Sequence, residues 1–241
     1  MRHLRPNDYK IMPWKNGGGT TTEIAIFPER AELGAFDWRV SIAEVSSEGP
    51  FSRFPGYDRT IMLLEGKGMI LDAGSNGLIE LREPFQPQRF PGEWSVIGKP
   101  LGGPVLDFNL LVRRGGARGE VEVIAMPETL GIACPVGGWL IVHVLTGNLN
   151  RASAGDTLLA DHDVNLAASD EPALITVARI GKSEDSAGSG PAMTNSFRPR
   201  TFRRHPPSVM RGRDPRICRR KRFRESVRSH RALSNRYGGR E

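Results

Sequence analysis

The sequence predicts an all-β protein built as a barrel or sandwich, and three observations predict it. Short runs of β-branched and aliphatic residues recur between Gly, Pro and Asn punctuation through the first 185 residues. Few windows hold a helical period for three turns. The stretches TIMLLEGKGMIL and WLIVHVLTGNLN echo one another, each an apolar strand leading into a residue-Gly turn, with Gly66 and Gly147 lying 81 positions apart. Two copies of one barrel unit are the natural inference, against the plainer reading that hairpins resemble one another.

The expected strands follow in order. The first half contributes Glu23 to Phe27, Trp38 to Val45, Thr60 to Leu64, Gly68 to Leu71, Trp94 to Ile97 and Val105 to Val112. The second half contributes Val121 to Ile124, Leu140 to Leu145, Thr157 to Leu159 and Ala173 to Ala178. In Trp38 to Val45 the alternation puts Trp38, Val40 and Ile42 on one face and Arg39 and Ser41 on the other, which predicts a half-buried strand. In Val105 to Val112, Asp107 and Asn109 share a face with Leu111, while Phe108, Leu110 and Val112 share the other. A polar pair inside such a strand suits a barrel lumen or an exposed face. The echo extends to Gly92-Glu93 and Gly155-Asp156, each of which opens a further apolar run.

Charge divides the chain differently. The net charge of +7 arises from residues 186–241, which carry 16 basic and 3 acidic side chains, while the first 185 residues carry 18 and 24. From about residue 183 the text is Gly-, Ser- and Pro-rich and then Arg-rich with few aliphatics, so disorder is expected there, with a short helix around Arg219 to Leu233. Text of this composition arises from altered reading frames in GC-rich DNA, and the tail is read as such or as without function. The alternative is an RNA- or DNA-binding arm held by phosphate contacts, so nucleic acid is a partner only if the tail is functional. No apolar run approaches the ~18 residues that span a bilayer, and the basic N-terminus never continues into an apolar segment, so no membrane partner and a cytoplasmic location are expected. Two cysteines, Cys134 and Cys218, are too few for a disulfide framework or a cysteine-based zinc site.

The stretches MPWKNGGGTTTEI, FDWRVSIAEVSSEGPFSRFPGYDRTIMLLEGKGMIL and GGPVLDFNLLVRRG resemble the HutD/Ves family. The resemblance covers about residues 3 to 182 and implies a double-cupin (bicupin) fold, with a domain over 1–182 in halves of roughly 1–115 and 116–182 and a separate tail over 183–241. It also implies a regulator of histidine utilisation that binds a small acidic metabolite such as urocanate or N-formylglutamate.

The residues bear on that chemistry directly. Metal-binding cupins use a His-x-His pair followed by an acid and a later His. Here that set is missing, and neither a metal nor a cofactor is expected. His143 reads as a satisfied or edge histidine, and adjacent Asp161, His162 and Asp163 cannot all aim at one point from an extended strand. Where cupins place their ligands this chain has Asp58-Arg59. The planar fork of Arg59 suits a carboxylate, and the family position favours that use over a structural ion pair with Asp58 or Glu44. Asn109 is expected to bond an amide or formyl group, and Asp107 to orient Arg59 or Lys15.

Gly17-Gly18-Gly19 lack a phosphate-loop pattern and precede a strand, so they are expected to turn the chain closely and bring Trp14, Lys15 and Asn16 over the carboxylate pocket. No nucleophile elbow is present, and Cys134 lacks a motif. A binding protein without turnover is the preferred expectation. The enzyme alternative is a metal-independent isomerase or hydrolase with Glu23 or Asp107 as base and Arg59 as anchor. A homodimer is left open.

Overall fold

The computed structural model describes residues 1–115, 117–169 and 173–182. The chain divides into two compact units, Met1–Ser186 and Ala187–Glu241. The expected disorder of the tail, its expected helix near 219–233 and Cys218 lie outside the described residues.

In the first half a six-stranded antiparallel sheet runs in the order β2 (Lys10–Pro13), β3 (Gly19–Phe27), β4 (Trp38–Val45), β11 (Val105–Arg113), β6 (Tyr57–Glu65) and β9 (Gln88–Pro91). Opposite it lies a four-stranded sheet ordered β5 (Gly49–Pro50), β10 (Ile97–Pro100), β7 (Met69–Asp72) and β8 (Leu78–Leu81). Ile61, Leu63, Phe90 and Val105 of the large sheet meet Met69, Leu71 and Leu81 of the small one, closing one apolar core between two sheets. The second half has a five-stranded sheet ordered β1 (Arg2–Leu4), β15 (Thr157–Ala160), β14 (Trp139–Thr146), β17 (Leu174–Lys182) and β12 (Ala117–Ala125). The pair β13 (Thr129–Ile132) and β16 (Val164–Ala167) completes it. Among the described residues the helical segments are two single 3-10 turns, Pro6–Asp8 and Gly74–Asn76.

The sequence echo is a structural repeat. The order β4-β11-β6-β9 recurs as β12-β17-β14-β15. Strand β6 carries one extra residue, Leu64, where pairing with β11 jumps from Leu63↔Asp107 to Glu65↔Leu106. Strand β14 carries Leu145 at the same place, between Val144↔Ile175 and Thr146↔Leu174. Each bulge stands two residues before a glycine with positive φ, Gly66 at 110° and Gly147 at 74°. A bulge followed at once by a left-handed glycine bends the strand out of the barrel and into the next turn.

Two expectations are corrected. Strand β4 is buried on both faces, with Arg39 and Ser41 as enclosed as their apolar neighbours. The Trp38, Val40 and Ile42 face looks away from the first barrel toward the second half, where the Trp38 ring lies 5.6 Å from that of Trp139 and Phe27 lies 5.0 Å from it. Gly119 of β12 fits there because a Cβ would fall 2.7 Å from Val112 and 2.8 Å from Leu110. A sheet packed between two barrels has no solvent face. The second correction concerns Trp94 to Val96, which lie outside any strand between the Pro91–Trp94 turn and β10, with Trp94 stacked at 6.0 Å on Phe90.

Candidate functional site

Strand register builds the site. Residues directly opposite one another across a sheet point to the same face. Arg39, Leu111 and Arg59 form one such row across β4, β11 and β6. Ser41, Asn109 and Ile61 form the next, and Ala43, Asp107 and Leu63 the one below. The upper rows floor a cavity of about 430 Å³. Its walls come from the Met12 to Asn16 segment, from Leu33 in the β3–β4 loop, and from the Pro50 to Phe54 segment. The lining holds three cations, Lys15, Arg39 and Arg59, and no Asp or Glu.

Arg59 is buried and held from several sides. Its Nε and Nη2 both donate to Asn109 Oδ1, at 2.9 and 2.6 Å. Phe51 lies under the guanidinium at 4.7 Å and Phe90 at 5.8 Å, a cation–π cradle. Burial pulls its pKa down to about 10, partly offset by Asp107, so it stays charged at neutral pH. Asn109 passes the polarity on, its amide donating to Asp107 Oδ1. Asp107 is fully enclosed, and burial pushes its carboxyl up to about 7 against the pull of Arg59. Its Oδ2 has no hydrogen-bond partner, which a neutral carboxyl tolerates far better than a carboxylate.

Across the same floor, Arg39 donates from Nε to Glu23 Oε2 at 2.7 Å. Glu23 sits opposite Ser41 on β3, so this pair closes the sheet on the far side from Arg59.

The glycine triplet shapes the rim. Gly17 has φ +69, and its amide donates to Trp14 O at 3.0 Å. A Cβ on Gly19 would lie 2.2 Å from Glu44 O and 3.1 Å from the Trp14 ring, so only glycine lets β3 begin against β4 under that ring. The Trp14 amide donates to Gly19 O at 2.9 Å, and its indole Nε1 donates to Thr21 Oγ1 at 2.8 Å. Asn16 Oδ1 accepts from the Gly18 amide at 3.0 Å.

The HutD family model matches residues 6–183. The chain belongs to the HutD family. It is 46% identical over 108 residues to an uncharacterized 21.2 kDa protein of the hutC 3′ region in Pseudomonas putida, a match spanning 45% of this chain and 56% of that protein. It is 39% identical over 144 residues to Protein Ves of Cronobacter sakazakii, spanning 58% of this chain and 75% of that one. A conserved protein of unknown function from Pseudomonas aeruginosa superposes with TM-score 0.67 at 32% identity, over 75% of this chain and 98% of that one. HutD from Pseudomonas fluorescens superposes with TM-score 0.64 at 27% identity, over 76% and 98%. The HutD/Ves family is linked to histidine utilisation.

In this HutD-family chain the two barrels differ where the repeat makes them comparable. Counting from the shared bulges, Arg59, Asn109 and Asp107 of the first half correspond to Leu140, Val177 and Ile175 of the second. All three are buried in the apolar core of the second barrel. One barrel has a polar cavity at these positions and the other an apolar core.

Of the residues singled out from sequence, Trp14, Lys15, Asn16, Arg59 and Asn109 line the cavity of this HutD-family protein. Gly17, Gly18, Gly19 and Asp107 are not among the lining residues. The side-chain oxygen and amide nitrogen of Asn109 both face protein partners here, Arg59 on one side and Asp107 on the other. Asp58 serves Arg114 and Arg89 on the surface and is no partner of Arg59. His143 is enclosed, with Nδ1 2.9 Å from Thr157 Oγ1. His162 contacts Asp161 at 2.9 Å on an exposed turn, and Asp163 instead accepts from the Cys134 amide at 2.8 Å. No three His, Cys, Asp or Glu side chains cluster as a metal site among the described residues.

Sequence reasoning missed Arg39, Ser41, Phe51 and Leu33. For Arg39 and Ser41 the signal was present, since alternation put them on one face, but that face was given to solvent. Phe51 and Leu33 sit outside regular strands, where no period marks them.

Proposed function

We propose that this protein is a metal-independent binding protein for a small acidic metabolite, such as N-formylglutamate or urocanate, and that it regulates histidine utilisation. The observation that carries this is Arg59, a buried guanidinium fixed through Asn109 with donors left over beside a cavity whose lining has cations and no acids. A guanidinium of fixed orientation binds a carboxylate through two parallel N–H donors. The same donors repel a metal ion. Trp14, Phe51 and Phe54 supply apolar walls that exclude water and strengthen that contact. Asp107 and Glu23 are positioning groups in this reading, since each already serves a neighbour and neither lines the cavity.

Saturation-transfer NMR of the full chain with N-formylglutamate and with urocanate tests the binding and the absence of turnover. Transfer to the ligand with its spectrum unchanged over hours is the expected result. Absence of transfer to both compounds contradicts the binding reading, and steady consumption of either contradicts the reading as a binding protein without turnover.

A further inference from the structure

Arg39 and Arg59 share one row of the cavity floor with Leu111 between them, each paired in register with that leucine. Two strand spacings put their backbones about 10 Å apart with both side chains on the same face. Both are buried, at 6% and 7% exposure, which is uncommon for arginine unless its donors are met.

A guanidinium has five N–H donors. Arg39 gives Glu23 its Nε donor, and its terminal nitrogens meet no hydrogen-bond acceptor among the described residues. Arg59 uses Nε and one donor of Nη2 on Asn109, leaving Nη1 unmatched among the described residues. One carboxylate saturates one fork. A second fork at the other end of the row is then left unmatched, with Leu111 and Trp14 between and above them as an apolar span.

We infer that the cavity takes a ligand with two carboxylates joined by a short apolar linker, Arg59 holding one carboxylate and Arg39 the other. This rests on the carboxylate-binding reading of Arg59 and adds Arg39 as the residue that selects dicarboxylates over monocarboxylates. Lys15 stands at the rim as a third, exposed cation and steers anions inward.

The test is calorimetric titration of the full chain with succinate, glutarate and adipate, each beside the monocarboxylate of equal length, butyrate, valerate and hexanoate. At least one dicarboxylate is expected to bind about tenfold or more tightly than its partner, the gain of a second charge-assisted pair. Arg39→Gln is expected to bring the two members of that pair to within about threefold, and Arg39→Lys to restore part of the gap. Because Arg39→Gln leaves Glu23 without its cation, Glu23→Gln with Arg39→Gln is measured beside it, with thermal unfolding confirming that each variant folds. Equal binding of both members of every pair, with Arg59→Gln abolishing both, overturns the dicarboxylate inference and leaves the carboxylate reading standing. Affinities unchanged in Arg59→Gln, or no binding by any probe, overturn both.

Discussion

Asn109 gives a single side-chain oxygen to two donors of Arg59, at 2.9 Å from Nε and 2.6 Å from Nη2, and lends its amide to Asp107. The amide orientation follows from its neighbours, since a guanidinium only donates and a carboxyl oxygen accepts. Arg59 is therefore aimed by a neutral group, which leaves its charge without a carboxylate in direct hydrogen-bond contact. The carboxyl that would neutralise it, Asp107, stands two residues further along the strand on the same face.

Replacing that neutral acceptor tests the arrangement. Asn109→Leu leaves buried donors of Arg59 unmet, at a cost of about 1–3 kcal/mol, and lets the fork swing. Thermal unfolding is expected several degrees lower, and carboxylate affinity by calorimetry about tenfold weaker. Asn109→Asp, which puts a carboxylate against Arg59, is expected to weaken anion binding further. Undiminished affinity in both variants would show that the fork is aimed by something else.

Asp107 is expected to make anion binding pH-dependent. Its carboxyl titrates near 7 because burial disfavours the charge. An anion on Arg59 disfavours that charge more, so ligand binding takes up a proton. Affinity is expected to fall as pH rises through about 7, and Asp107→Asn to flatten the profile. Proton uptake is measured by repeating the titration in buffers of different ionisation enthalpy, where a zero or opposite-signed proton count contradicts the coupling.

A second titrating group lies on the outer face of β14. Burial lowers His143 to about 4 from its ordinary 6.5, and it bonds Thr157, which Tyr9 also contacts at 2.8 Å. The unfolded chain takes up this proton more readily than the folded one, so stability is fully present above about 6.5 and is lost as pH falls toward 4. The loss is on the order of 2–4 kcal/mol. Unfolding midpoints measured from pH 7 to pH 4 are expected to drop steadily, and less so in His143→Gln.

Gly19→Ala isolates the glycine triplet. The added methyl meets the Glu44 carbonyl at 2.2 Å and the Trp14 ring at 3.1 Å, so β3 or the rim must shift. A cost of about 1–3 kcal/mol is expected, with weaker ligand binding and a changed Trp14 emission. Gly17→Ala meets no neighbouring atom within 4 Å, and its expected cost comes from φ +69 alone.

Much of the barrel was legible because alternation and turn residues are local. The runs at Thr60 to Leu64 and Leu140 to Leu145 lie inside β6 and β14, and the two glycines that follow them mark matching bulges. Short strands such as β1, β8 and β13 were not legible, since each mixes polar or glycine residues into four positions or fewer and presents no apolar run, unlike β7 and β15. Trp94 misled because an apolar run outside any strand, buried by stacking on Phe90, reads like one. At the site, Asn109 and Asp107 stood out as polar residues in an apolar strand, and Arg59 stood out through the family resemblance. Arg39 did not, because alternation reports that two faces differ and only the packing of the second barrel decides that neither is wet.

The most direct measurement is a calorimetric titration of N-formylglutamate and urocanate into the full chain and into Arg59→Gln, with thermal unfolding confirming that the variant folds. Saturable binding of at least one compound, weakened about a hundredfold or lost in the variant, is the expected result for a buried charge-assisted anchor. Equal affinity of wild type and variant, or no binding by either, would contradict Arg59 as the carboxylate anchor.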